Sequence, residues 1–443
     1  MNHHLEGSDK GGISVIIPVK EDFLTVATAF VETGAAALGF GKKETVALTL
    51  ATEEIFSYLC KASPPDRAIE IRCVSKGYYL RLTFLFGAED FNIRAFNMTA
   101  SVSFDDESSL DEMGLMIASR FVDRLRFRQE KSGQYELVLV KEKTYPEPDQ
   151  SPLPRTGPIK DFKIHEPDIE ELKLFSRLLN PLYKDQIIPE AFRFPGKLAD
   201  MITSGEYRAL LAFGPTGRIG GGIMWHWSGR KTVDCAGPYL FLEGPDPRLS
   251  ESLIEACLGA IAKTPAIGLI NRFPTEDLPK AYFEPLGTLT VYSGEGAETI
   301  LPAYFRQMHE DLGSAVWSHP LLEDFLRQQY GRFVFPREIR KVESQGEEVN
   351  PYSVLTADID KSQKLITLRP VRSGRDIETN LNNHLRLFEK EAYANIFFEM
   401  DLGIPWHAHF TPALFGEGFR PRLLLPYAGE GDMVVFQLGA EAA

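Results

Sequence analysis

The chain has 443 residues, too long for one ordinary core, so roughly two to four domains are expected. Its 44% apolar and 25% charged composition is that of a globular protein, and a net charge of −14 weighs against coating nucleic acid or anionic membrane, since either task needs a basic face. No apolar run reaches transmembrane length and the N-terminus carries no signal-peptide core, so a cytoplasmic protein is expected.

Residues 1–11 are polar, and His3 and His4 read as tail rather than metal ligands. Ile13–Pro18 predicts a strand, Asp22–Leu38 an amphipathic helix ending at Gly39, and Lys42–Lys61 a second helix. Ala68–Val74 and Tyr78–Phe86 read as a hairpin turning at Lys76-Gly77. After a polar stretch come a helix, Glu112–Arg124, and a hairpin, Arg126–Glu130 with Glu136–Lys141, turning at Ser132-Gly133. Together these predict helices on one face of a mainly antiparallel sheet. The four cysteines, Cys60, Cys73, Cys235 and Cys257, show no metal spacing and read as buried thiols.

Three stretches of this region carry a resemblance: Glu53-Glu54-Ile55-Phe56-Ser57 in the second helix, the hairpin Tyr78–Gly87, and Asp111-Glu112-Met113-Gly114-Leu115-Met116-Ile117. It resembles the GHKL, or histidine-kinase-like, ATPase domain, in particular its anti-sigma-factor branch. The resemblance implies an ATP-Mg site in which Glu53 is general base, Gly114 and Leu115 bring backbone amides to phosphate, and an asparagine holds the metal. The matching position is Ser57, a shorter ligand. The strand end Phe84-Leu85-Phe86-Gly87 offers no carboxylate for adenine, although Glu89 and Asp90 lie just beyond. The bland reading of Glu53 and Glu54 is a solvated helix face. The expectation is a GHKL-like layer whose nucleotide site is eroded.

Tyr145–Pro158 is a proline-stiffened linker. Beyond it the pattern predicts a strand (Phe162–His165), helices over Pro167–Leu179 and Pro189–Ser204, and a strand pair, Glu206–Phe213 with Arg218–Trp227. In the latter, Trp225 and Trp227 should share one face and His226 the other. Val233–Leu242 predicts a strand and Glu243-Gly244-Pro245-Asp246-Pro247 a turn. A helix starts there with Asp246 as N-cap and Pro247 at its first position, followed by a strand, Ala266–Phe273, and a short helix, Leu278–Leu286, closed by Gly287.

This order resembles a GNAT acyltransferase domain, with Arg218-Ile219-Gly220-Gly221-Gly222-Ile223 as its third strand. The resemblance implies an acetyl-CoA or acyl-CoA pyrophosphate at the turn Pro245-Asp246-Pro247-Arg248-Leu249-Ser250. Backbone amides do that work. Here two prolines remove donors, Asp246 adds a negative charge, Arg248 offsets it in part, and Ser250 keeps a small residue. A helix cap is therefore expected ahead of a CoA site. The tyrosine that often protonates the thiolate falls on Phe283, with Tyr282 one place away.

Glu298–His309 reads as helix, then a polar stretch holding Trp317, His319 and Pro320, a helix over Leu321–Tyr330, and an exposed turn over Ser344–Glu348. Ser353–Ile359 and Lys364–Val371 predict a strand pair, Ile377–Glu391 a helix, Ala394–Met400 a strand, His407–Phe415 a short helix, and Arg420–Pro426 and Asp432–Leu438 two strands. Leu414-Phe415-Gly416-Glu417-Gly418-Phe419 resembles a GNAT ending. Ser373-Gly374-Arg375-Asp376 stands at the second phosphate turn and reads first as a capped helix start. His407 and His409, two apart on a helix, do not make a metal pair.

The expected class is α/β (α+β): a GHKL-like two-layer sandwich (1–144), a linker (145–159), a GNAT-like domain (160–299) and a second, partial GNAT-like lobe (300–443). Two functions fit: a signalling protein with weak or absent catalysis that has a protein partner of sigma and anti-sigma type and a small-molecule ligand; or an acyl-CoA-dependent N-acyltransferase under nucleotide control. Neither nucleic acid nor membrane is an expected partner, and no metal is expected outside ATP-Mg.

Overall fold

The computed structural model describes residues 11–439, except 65, 88–90, 92, 100–106, 130–133, 149–151, 154–156, 158, 160, 184, 242–245, 293–296, 343–349 and 362. The fold is mixed α/β, of the α+β kind. β1 (Ile13–Pro18), β2 (Ala68–Ser75), β3 (Tyr79–Gly87), β4 (Arg124–Gln129) and β5 (Gln134–Glu142) form an antiparallel sheet in the order β1-β2-β3-β5-β4. Period-two alternation explains its two faces. Ile69, Ile71 and Cys73 of β2 and Leu80, Leu82 and Phe84 of β3 pack beneath α1 (Leu24–Ala37), α2 (Lys42–Ala62) and α3 (Glu107–Phe121).

The other face is covered too. Tyr79, Val138 and Val140 pack with Leu172, Leu198 and Met201 from α4 (Ile169–Leu182) and α5 (Pro195–Thr203). The Tyr78 and Tyr79 hydroxyls donate to the two carboxylate oxygens of Glu206, at 2.8 and 2.7 Å. Buried Asn97 donates to the Ser353 carbonyl at 2.9 Å and accepts from the Leu355 amide, tying the first layer to the C-terminal sheet as well.

The second sheet has seven strands: β6 (Lys163–His165), β7 (Tyr207–Phe213), β8 (Ile219–Trp227), β9 (Thr232–Leu240), β10 (Gly268–Phe273), β11 (Glu284–Tyr292) and β12 (Glu298–Gln307), ordered β11-β12-β10-β9-β8-β7-β6. Only β9 and β10 run parallel, joined by α6 (Pro247–Ile261). As the alternation predicts, Trp225 and Trp227 pack toward the α6 side, while His226 meets Tyr207 ring to ring at 4.5 Å.

β13 (Ser314–Ser318) and β14 (Arg337–Lys341) form a parallel pair around α7 (Pro320–Phe333). The last sheet, β15 (Val354–Asp360), β16 (Leu365–Arg372), β17 (Asn395–Asp401), β18 (Phe419–Leu425) and β19 (Met433–Leu438), is ordered β15-β16-β17-β19-β18. Its one parallel pair, β16 and β17, is joined by α8 (Ile377–Lys390), and α9 (Thr411–Gly416) precedes β18. The order and sense of these five strands repeat those of β8-β9-β10-β12-β11. The two sheets meet through side chains that pair with backbone: Gln437 with Thr290, and Asn395 with Tyr292.

Several expectations are corrected. Leu278–Leu286 holds one 3₁₀ turn, Lys280–Tyr282, and the chain is already β11 at Glu284. Glu298–His309 is strand β12: its apolar side chains are spread along a ten-residue strand and pair with β10 and β11. Pro189–Ser204 is a 3₁₀ turn and then α5, since Pro195 opens a new helix. The third helix of the first layer is displaced to Glu107–Phe121, leaving Arg124 to start β4. The turns at Ser132-Gly133 and Ser344–Glu348 lie outside the described residues.

Candidate functional site

In the first layer, Glu53 is exposed on α2 and Ser57 is half-buried one turn on. Glu54 lies against α3, where a Cβ added to Gly114 would fall 2.4 Å from its Oε2. Burial, with Glu53 beside it, raises the Glu54 carboxyl above its ordinary value. Leu115 is fully buried in the core under the helices. At the end of β3, where the resemblance puts adenine, aromatic rings fill the space. Phe91 sits 5.0 Å from Phe86 and stacks on Phe127 at 5.5 Å, and Phe127 stacks on Tyr135 at 5.3 Å. Glu89 and Asp90 fall outside the described residues, as do the side chains of Asp111 and Glu112.

At α6 the turn caps itself. Asp246 Oδ1 accepts from the amides of Arg248 and Leu249 at 3.1 and 3.4 Å, and its carbonyl accepts from Leu249 and Ser250, both at 3.2 Å. Pro247 has no N–H to offer. The amides that would meet an anion at this turn therefore already have acceptors. Leu249 is fully buried, Ser250 donates to the Pro247 carbonyl at 3.1 Å, and Arg248 projects into solvent 3.6 Å from Asp246. Pro245 is outside the described residues.

Tyr282 is drawn away from this turn. Its hydroxyl donates to Glu255 at 2.9 Å, and that hydrogen bond raises the phenol above its ordinary value. Glu255 is nine residues beyond Asp246, about 13 Å along a helix rising 1.5 Å per residue. Phe283 is buried beneath α6. The exit between β9 and β10 is stitched: Asn271 donates to the Gly237 carbonyl at 2.7 Å and Thr275 to the Pro238 carbonyl at 2.5 Å.

The last sheet differs at the corresponding places. Asp376 does not cap α8, correcting the expectation of a capped start: its carboxylate turns back to accept from the Ser353 amide at 2.5 Å. Pairing between β16 and β17 ends at Leu368 and Phe398, although β16 runs on to Arg372 and β17 to Asp401. An ion pair crosses this gap, Arg369 Nε to Glu399 Oε2 at 2.7 Å. Arg272 of β10 reaches the same Glu399 at 3.4 Å and Asp234 at 2.6 Å, so one chain of charges joins both sheets. Ser373 and His409 Nδ1 are 3.3 Å apart at the lip, and the ring of buried His407 lies 4.2 Å from Trp406.

These groups border a cleft of about 2210 Å³ lined from three regions of the chain: Arg124 and Lys143 in the first layer, Lys197 and Arg230 around the seven-stranded sheet, Arg372 and Trp406 around the last sheet. Three of its titratable groups, Glu399, Asp401 and His407, are held away from general acid or base work. Burial disfavours a charged Glu399, but Arg369 and Arg272 overcome this and hold it down at about 2. Asp401 accepts from the amides of Gly403, Glu430 and Gly431, and burial depresses His407 to about 3, keeping it neutral.

Sequence reasoning named Ser373 and His409 but missed Arg369, Arg372, Glu399 and Trp406. Arg369 and Arg372 look like ordinary strand charges, and Glu399 sits in a buried strand. A charged residue inside the apolar run Ile396–Met400 was the available signal.

No family model matches the chain, and no curated protein matches it. Solved structures that match include an N-acetyltransferase from Staphylococcus aureus, 9% identical over 33% of this chain and 98% of that one, TM-score 0.27. A mutant form of the spermidine/spermine N-acetyltransferase SpeG from Vibrio cholerae is 14% identical over 33% and 95%, TM-score 0.27. The RsbU and RsbW domains of a Mycobacterium tuberculosis protein are 12% identical over 30% of this chain and 32% of that one, TM-score 0.22. No described helix is long and apolar enough to cross a membrane.

Proposed function

We propose that the chain is a regulatory binding protein: an anti-sigma-type, GHKL-like layer (1–144) and, after a linker (145–159), two GNAT-like lobes (160–299 and 300–443). It binds an anionic small molecule in the shared cleft, acts on a protein partner in the cytoplasm, and carries out little or no acyl transfer. The observation that carries this reading is Asp246, whose carboxylate and carbonyl take the amides an acyl-CoA pyrophosphate would need at the first lobe. The state of Glu399, Asp401 and His407 supports it further, because a general base needs a free lone pair and a pKa near the working pH.

Thermal-shift titration with acetyl-CoA, CoA and ATP plus Mg²⁺ tests it, since a ligand at a hundredfold excess over its Kd adds about 2.7 kcal/mol. The expected result is that any response to ATP-Mg is unchanged in Ser57→Ala, and any response to CoA unchanged in Arg248→Glu. One observation favours a second reading, an acyl-CoA-dependent N-acyltransferase: α8 starts uncapped beside the gap between β16 and β17. Release of free CoA from acetyl-CoA in the presence of an amine would establish it.

A further inference from the structure

The cleft is electropositive in an acidic protein. The whole chain has 48 Lys and Arg against 62 Asp and Glu. Among the described residues that line the cleft, Lys and Arg outnumber Asp and Glu by twelve to nine. Six of those nine carboxylates are engaged, Asp401 by three amides and Asp123, Glu142, Asp358, Glu399 and Glu430 by basic groups. The cations in these pairs that line the cleft are Lys141, Arg124, Lys197, Arg369 and Arg230, so the excess of basic over acidic groups is unchanged by the pairing. A basic recess inside a negative surface focuses the field and concentrates anions.

The basic groups form two walls. On β4, Leu125 and Phe127 pack into the core under the helices, so Arg124, Arg126 and Arg128 share the opposite face, and all three line the cleft. Glu136 stands across from Arg128 in the β4–β5 register, and Arg124 is paired with Glu142. Another stretch of the lining holds Arg369 and Arg372 of β16 with Ser373 beside them; Arg369 is paired with Glu399, and Arg372 donates to Asn350 at 2.5 Å. Guanidinium forks suit phosphate oxygens better than point charges do. At about 2210 Å³ the space exceeds the roughly 300–1,000 Å³ of an ordinary small-molecule pocket.

We infer that the outer face of β4 and the β16 wall together hold one small polyanion bearing at least two phosphate-type groups, one toward each wall. The N-terminal layer thereby supplies half of the ligand site, and occupancy clamps it to the last sheet. This rests on the reading of the cleft as the ligand site.

The test is calorimetric titration of the full chain with tripolyphosphate and with orthophosphate, at low and at physiological salt. The expected result is tripolyphosphate binding at least about tenfold tighter than orthophosphate, weakening as salt rises, and weakened at least about tenfold in Arg126→Glu/Arg128→Glu. Arg248→Glu, on the far lobe, leaves it unchanged. If the charge-reversed variant misfolds by circular dichroism, Arg126→Gln/Arg128→Gln replaces it with the same expectation. Tripolyphosphate binding unaltered in the β4 variants but lost in Arg372→Glu overturns the two-walled site and leaves the cleft as a ligand site. No binding of tripolyphosphate to wild type at either salt overturns the polyanion; silence toward orthophosphate as well removes the cleft reading.

Discussion

Arg369 on β16 and Glu399 on β17 meet at 2.7 Å just past the last residues that pair the two strands. Glu399 also holds Arg272, so truncating it leaves two guanidiniums without their shared carboxylate. Glu399→Ala is expected to cost about 3–5 kcal/mol in urea unfolding. Asp358→Ala, which removes only an exposed second partner of Arg369, should cost under about 1 kcal/mol. Equal effects would mean that the charge chain does not join the sheets.

Asp246→Ala removes the acceptor for the Arg248 and Leu249 amides. A loss of about 1 kcal/mol is expected, as for other N-caps. Arg248→Ala touches only an exposed side chain and should stay within about 0.5 kcal/mol.

Much of this was legible in the sequence. Asp246 followed by Pro247 and a helical apolar stripe identified the cap, and alternation placed Trp225 and Trp227 opposite His226. Gly77, at φ +79, marked the β2–β3 turn. Other features were not legible because they depend on long-range pairing. Glu298–Gln307 is a strand since β10 and β11 offer it edges, and no local pattern states that. Asp376 looked like a cap by position, yet the Ser353 amide, 23 residues earlier, claims its carboxylate. The basic cleft is assembled from β4, α5 and β16, which are far apart in the chain.

His407 predicts an acid-sensitive limb. Burial lowers its pKa from 6.5 to about 3, so between those values the unfolded chain binds a proton that the folded chain refuses. Stability is therefore complete above about pH 6.5 and falls as pH drops, by about 1.4 kcal/mol per unit. Glu399, also depressed, adds a loss only below about pH 4.5. His407→Asn should flatten the curve between pH 6.5 and 4.5, as measured by denaturant midpoints, and a parallel curve would refute the assignment.

Glu206 anchors the first layer through both Tyr78 and Tyr79. Glu206→Ala strands two largely buried hydroxyls and should destabilise by about 2 kcal/mol, read as faster hydrogen exchange in β3 and β7. Tyr78→Phe/Tyr79→Phe in the Glu206→Ala background should recover part of that loss.

The central claim is that the first-lobe turn is a helix cap and not an anion site. Its most direct test is a thermal-shift titration with acetyl-CoA on wild type and Arg248→Glu in parallel. The account predicts the same response from both proteins, whatever its size, because Arg248 faces solvent and the neighbouring amides are already taken. A shift present in wild type and abolished in Arg248→Glu would contradict it.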